Sequence, residues 1–341
     1  MRNLLEPWVA LRLVAGLVSG ALLLRASYTG FQVLRHFRLA RATEGQLLLE
    51  RRLELAGTFV RVGAFVQIAC VAFTALAADR LSLGIRGAMC GYGVFQASPW
   101  GFPSLLADVG LALVAGLVVQ VFAFDARMRT FELARPLALF MLGLAPLALL
   151  DLALSARFLL DLDLTVVASC CSVSLDGLEG SGAGGHASGP RAATTLAALV
   201  AIGATLAAGA LAVRRPSRGR AVLAGALSLA ALPFAVGAAM LEVAPHAFEV
   251  PQHVCPFCLL KPEVLGLGYP LFGAMFVAAT WAGGAAIGAA FARSEAARQT
   301  FLGFAPERLR TASYAWLAVL VVGAAPIVRY ALVSNFTPLF P

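Results

Sequence analysis

Polar residues along this chain gather in short clusters, and between the clusters run long apolar stretches. Eight of these approach or exceed the roughly 18–20 residues with which a helix crosses hydrocarbon. They lie at about 8–27, 62–78, 105–124, 136–154, 192–213, 221–241, 265–290 and 313–333. The pattern predicts an all-α fold: a polytopic membrane helical bundle of about eight transmembrane helices. The first stretch follows Arg2, as a secretory signal does, but Arg12 interrupts it and no small-residue cleavage site precedes a soluble domain. It is expected to be a retained span.

Composition agrees. Of 341 residues, 60% are hydrophobic and only 13% charged, with a mean hydropathy of +0.85. A soluble domain carries about a quarter charged residues. The formal net charge of +8 comes from arginines between the spans. No basic run is interleaved with aromatics, so nucleic acid is not an expected partner. The lipid bilayer is.

The arginines alternate from loop to loop. Arg35, Arg38, Arg41, Arg51, Arg52 and Arg61 fall after the first span; Arg127, Arg129 and Arg135 after the third. Arg214, Arg215, Arg218 and Arg220 follow the fifth, and Arg293, Arg298, Arg308 and Arg310 the seventh. The other face holds only Arg2, Arg80, Arg86, Arg157, Arg191 and Lys261. The positive-inside rule places the first set in the cytoplasm and both termini outward. A chain rich in arginine with a single lysine suits a GC-rich bacterium. The membrane is then the cytoplasmic (inner) one and the outward side the periplasm.

This topology sorts the cysteines. Cys90 falls in the outward loop "RGAMCGYGVFQASPWGFP", Cys170 and Cys171 in the outward loop "VVASCCSVSLD", and Cys255 and Cys258 in "QHVCPFCLLKPE", at the outward start of the seventh span. Cys70 lies within a span and reads as a small buried hydrophobe. Five of six cysteines on the oxidising face point to thiol chemistry. A CxxC opening a helix places its first sulfur near unpaired N–H groups and the positive end of the helix dipole, which stabilise a thiolate. Pro256 suits such a first turn. Lys261 reads as a snorkelling interfacial lysine.

The order of span, outward cysteine loop, helical hairpin and CxxC resembles the vitamin K epoxide reductase family. More distantly it resembles the bacterial quinone-linked enzymes that reoxidise periplasmic disulfide donors. "CCSV" supplies Cys170, Cys171 and Ser172, and "CPFCLL" supplies Cys255 and Cys258. The resemblance covers about 136–292 and implies a four-helix cysteine-bearing core there. Residues 1–135 would then form N-terminal membrane helices with the Cys90 loop, and 293–341 a C-terminal loop and final helix. It also implies a route for electrons. A periplasmic thioredoxin-like thiol protein reduces Cys170 or Cys171, these reduce the Cys255–Cys258 pair, and that pair reduces a membrane quinone near Ser172. The family separates its loop cysteines by several residues, whereas Cys170 and Cys171 are adjacent. Cys90 is therefore an alternative partner. Its loop lies one hairpin ahead of Cys170, a recurrence expected wherever outward loops repeat at that distance.

Two other classes compete. His253, Cys255, Cys258, Cys170 and Cys171 have the chemistry of a soft-metal site for Zn²⁺, Cu⁺ or an iron–sulfur cluster, with Met89 as a further ligand. His253 and His246 otherwise read as interfacial, His186 and His36 as solvated. Because the histidine precedes the cysteines, the loop does not match the CxxCH of haem attachment. The third class is a non-catalytic structural membrane subunit. Asp108 and Asp151 are read as lying near membrane ends, so no ion pathway is expected from them. Asp161, Asp163 and Asp176 read as solvated loop carboxylates. The small-residue run "WAGGAAIGAAF" points to helix packing.

Overall fold

A computed structural model describes residues 6–38, 43–88, 90–128, 130–165 and 188–340, with side chains from 191 in the last stretch. Among the described residues the chain is helical and holds no β-strand. Eight helices there are long and apolar enough to cross a membrane; seven contain a predicted span whole, and Gly268–Phe291 covers 265–290 except its first three residues. The protein is a multi-pass membrane protein. Leucines and valines such as Leu17, Leu150, Val321 and Leu332 are exposed on the helix surfaces. In water that surface would be costly; in lipid it is solvated.

The chain divides into two compact units, 1–168 and 169–341. This division differs from the expected grouping of 136–292: the fourth span packs with the spans before it.

In the first unit, α1 (Pro7–His36), α2 (Glu44–Ser82), α4 (Gly101–Met128) and α5 (Ala134–Asp161) are the long helices. A short α3 (Gly91–Gln96) lies between α2 and α4. Helix α1 packs on α2 and α5, and α4 on α2 and α5. After α5, the Thr165 backbone N–H and hydroxyl both donate to Asp163 Oδ1 at 2.8 Å. These bonds favour the carboxylate and hold Asp163 below the usual range.

The interior of this unit is polar at one level. Arg12, Asp108 and Asp151 are all buried, at 0%, 0% and 1% exposure. Arg12 Nη2 donates to Asp151 Oδ2 at 2.7 Å and to Ser155 Oγ at 2.8 Å. Its Nε donates to Thr74 Oγ1 at 2.8 Å, and the Thr74 hydroxyl donates to Asp108 Oδ2 at 2.5 Å. Gln67 Nε2 donates to Asp151 Oδ2 at 2.7 Å. Gly16, one turn beyond Arg12, leaves the guanidinium room: a β-carbon there would lie 2.9 Å from Arg12 Nη1. Asp108 and Asp151 are thus not loop-edge carboxylates. Asp108 lies about two turns inside α4 and Asp151 nearly three turns inside α5, and both are buried in the interior of the unit.

Among its described residues the second unit also has four long helices: α6 (Ser188–Arg214), α7 (Arg218–Ala238), α9 (Gly268–Phe291) and α10 (Glu295–Val333). Helix α7 runs through a π-helical turn, Ala239–Val243, into the short α8 (Ala244–Phe248). Pro245 has no N–H for the Leu241 carbonyl, and ahead of it the wider turn pairs Ala244 N–H with Ala239 O. The core joins Ala231, Ala235, Leu259, Met275 and Trp316. Trp316 Nε1 donates to Ser228 Oγ at 2.8 Å, and the Ser228 hydroxyl to Ala278 O at 3.1 Å. The small residues Ala282, Gly283, Gly284 and Ala285 of α9 are buried, as the helix-packing reading expects.

Candidate functional site

Cys255 and Cys258 lie in the loop between α8 and α9, at 1% and 4% exposure, and their Sγ atoms are within 4.8 Å of one another. Helix α9 begins at Gly268, so the CxxC does not open the seventh span as expected. Cys258 instead begins a three-residue 3₁₀ turn, Cys258–Leu260, too short for a sizeable helix-end field. The reason lies in the next residues. Pro262 forces Lys261 to extended backbone (φ −75°, ψ 150°), which ends the turn. A second 3₁₀ turn, Pro262–Val264, follows, and Leu265 and Gly266 then take positive φ of 56° and 61°. Pro256 sits in a turn ahead of Cys258.

The loop is anchored at several points. Leu259, adjacent to Cys258, is fully buried in the core of the unit. Lys261 O accepts from Gly266 N at 3.0 Å. Gly268 is packed so closely on the loop that a β-carbon there would lie 2.8 Å from Leu260 Cδ2 and 3.1 Å from the Leu259 carbonyl. Upstream, His253 stacks on Phe248, ring centroids 4.1 Å apart. His246 Nδ1 donates to the Glu242 carbonyl at 2.7 Å. Arg191 pairs with Glu242 at 3.5 Å and lies 3.2 Å over the Phe340 ring.

The first unit has a comparable loop between its second and third long helices. Cys90 is fully buried and is the N-cap of α3, its carbonyl accepting from Gly93 N at 3.1 Å. In that unit Cys90 is followed by Gly101-Phe102-Pro103 at the start of α4; in the other, Cys258 is followed by Gly268-Tyr269-Pro270 at the start of α9. Gly101 packs on the Phe95 backbone as Gly268 packs on Leu259. A cysteine followed ten or so residues later by Gly-aromatic-Pro was the readable signal of this parallel plan. The sequence reading compared Cys90 with Cys170 instead.

Of the other expected site residues, Cys170, Cys171 and Ser172 lie outside the described residues, as do Met89, His186 and Asp176. Cys70 is buried in α2, as read. Among the polar residues, sequence reasoning missed Gln67, Thr74 and Ser155 around Arg12; single polar residues in apolar helices give no sign of which neighbour they meet. Comparison with models of known families, with curated proteins and with solved structures gave no match to this chain.

Proposed function

We propose that the chain is a membrane thiol–disulfide oxidoreductase with Cys255 and Cys258 as its redox pair. The observation that supports this reading is the sulfur pair itself, two buried Sγ atoms within 4.8 Å on an anchored loop. Disulfide closure, at about 2.05 Å, then asks for local movement only. In the forward direction the pair starts as a disulfide. A donor thiolate attacks one sulfur to form a mixed disulfide, and the donor's second thiolate releases it. The donor leaves oxidised by two electrons and two protons, and Cys255 and Cys258 become thiols. A membrane quinone takes the same two electrons and two protons, leaves as quinol, and the Cys255–Cys258 disulfide re-forms.

Burial of the pair asks for an intermediary between it and a thioredoxin-like protein. Cys170 and Cys171 are the candidates, since the arginine asymmetry puts both on the periplasmic side with the CxxC; Cys90 is itself fully buried and meets the same obstacle. Ser172 is proposed as a hydrogen-bond donor to the quinone carbonyl. The proposal keeps the likeness to the vitamin K epoxide reductase family in its cysteines. It departs in the bundle: that family carries its CxxC at the outer end of the last of four helices, whereas here the CxxC precedes the third long helix of its unit and a further helix follows.

The same separation favours one second reading. A soft metal ion bonded to two thiolates at about 2.3 Å each spans up to about 4.6 Å, so Zn²⁺, Cu⁺ or an iron–sulfur cluster suits the pair, with His253 nearby in sequence. Cys258→Ser separates the two. In the oxidoreductase, the Cys255 thiolate of the variant attacks a thioredoxin-like probe whose single remaining cysteine is activated as a mixed disulfide with thionitrobenzoate; the small thiolate leaves, the Cys255–probe disulfide is visible on a non-reducing gel, and reduction of a short-chain quinone by the protein is lost. One equivalent of metal in the unmodified protein, lost in the variant with nothing trapped, overturns the redox reading in favour of the metal site.

A further inference from the structure

Two carboxylates, Asp108 and Asp151, share one guanidinium inside the first unit, and three acceptor atoms around them have no hydrogen-bond donor. We propose that this cluster is a proton-binding site, in which Asp108 and Asp151 together hold one proton. The inference is independent of the thiol chemistry.

The charge count comes first. Four long helices meet the cluster. Helix α1 contributes Arg12, α2 contributes Gln67, Cys70 and Thr74, α4 contributes Asp108, and α5 contributes Asp151 and Ser155. The titratable or charged groups among these are Arg12, Cys70, Asp108 and Asp151. With Cys70 as a thiol and both carboxylates ionised, the cluster carries one uncompensated negative charge, away from water and among apolar helices. Burying a charge without a counter-charge is among the largest penalties a fold meets. One proton removes it.

The hydrogen bonds ask for the same addition. Asp151 Oδ2 accepts twice, from Arg12 and Gln67, and Asp108 Oδ2 accepts from Thr74. Asp108 Oδ1, Asp151 Oδ1 and Gln67 Oε1 are buried without a donor, against one buried donor without an acceptor, Arg12 Nη1. The nearest cationic atom to Asp108 Oδ1, Arg12 Nη2, is 3.6 Å away, beyond a good hydrogen bond. Gln67 is 1% exposed, and its amide is held against Asp151 through Nε2, which keeps the orphan Oε1 at the cluster. A proton on one carboxyl turns an acceptor into a donor and so serves two of these atoms at once. Two carboxylates that share a site release their protons as a pair, so the proton belongs to both.

The test is infrared difference spectroscopy on the purified full-length protein during a pH titration. The expected result is the carbonyl stretch of a protonated carboxylic acid at neutral pH. It moves on exchange into D₂O and disappears in Asp108→Asn and in Asp151→Asn. The exposed Asp163→Asn leaves it in place. Both Asn variants keep the size of the side chain and remove one charge. Thermal unfolding of the unmodified protein in sodium against choline chloride supplies a second measurement that needs no variant. A midpoint indifferent to sodium is expected. Absence of the protonated-carboxyl band, or a midpoint that rises with sodium, overturns the proposal; the second result would make this a sodium site.

Discussion

Arg12 illustrates how little a residue's own identity says about its worth inside a membrane protein. In the sequence it is an interruption of the first apolar run, a reason to doubt a signal peptide. In the fold it is fully buried and binds residues 62, 139 and 143 positions away. Nothing local announces those partners, which is why Asp108 and Asp151 were not read as its counter-charges. Removing the guanidinium strands two carboxylates, and deleting one partner of a buried ion pair costs about 3–5 kcal/mol. Arg12→Leu is therefore expected to lower the thermal midpoint of the purified protein sharply. Arg12→Lys should recover only part of the loss, since one ammonium does not reproduce the planar fork that reaches Thr74, Asp151 and Ser155 together. Equal midpoints for Arg12→Leu and the unmodified protein would refute the stabilising role.

At the scale of elements, the long helices were legible because eight apolar runs leave few alternatives, and their cores fell where read. The CxxC was expected at the start of the seventh helix, but α9 begins three residues later than read, at Gly268, ten residues after Cys258. Pro262 and Gly266 were both visible in the sequence, but apolar content outweighed them in drawing the span from 265. Backbone geometry decided otherwise: a residue before proline avoids the helical region, and positive φ at Leu265 and Gly266 breaks what remains. The loop is held to α9 by the close approach at Gly268. Gly268→Ala is expected to push Leu259 and Leu260 away and expose the sulfurs, raising the alkylation rate of Cys255 and Cys258 by at least several-fold in the reduced protein. Helicity measured by circular dichroism should be unchanged. An unchanged alkylation rate would show that the loop's burial does not depend on that contact.

For the whole molecule, the number of spans and the all-helical class followed from composition, whereas the two units did not. Which helices pack together depends on surfaces that look alike in sequence, and the fourth span joined the first unit against expectation. Orientation is still carried by the arginines alone, and it can be checked directly. In a background without native cysteines, Leu265→Cys, at a position 95% exposed, should react with a membrane-impermeant thiol reagent on intact spheroplasts. Ser217→Cys, in the arginine-rich turn before α7, should react only after the membrane is opened. The reverse pattern would invert the topology and remove the periplasmic assignment. The buried cluster of the first unit also bears on how the chain is made. Helix α1 enters the membrane before its counter-charges exist, because Asp151 is synthesised 139 residues after Arg12. At roughly 5–20 residues per second that delay is on the order of ten seconds. A bare arginine at the centre of a helix costs about 2.5–3.5 kcal/mol to insert, an upper bound for Arg12, which lies in the second turn of α1. Until α4 and α5 arrive, α1 is best kept beside the insertion machinery or with Arg12 reaching for the lipid headgroups, so the last helix of this unit to be synthesised is the one that lets the first settle.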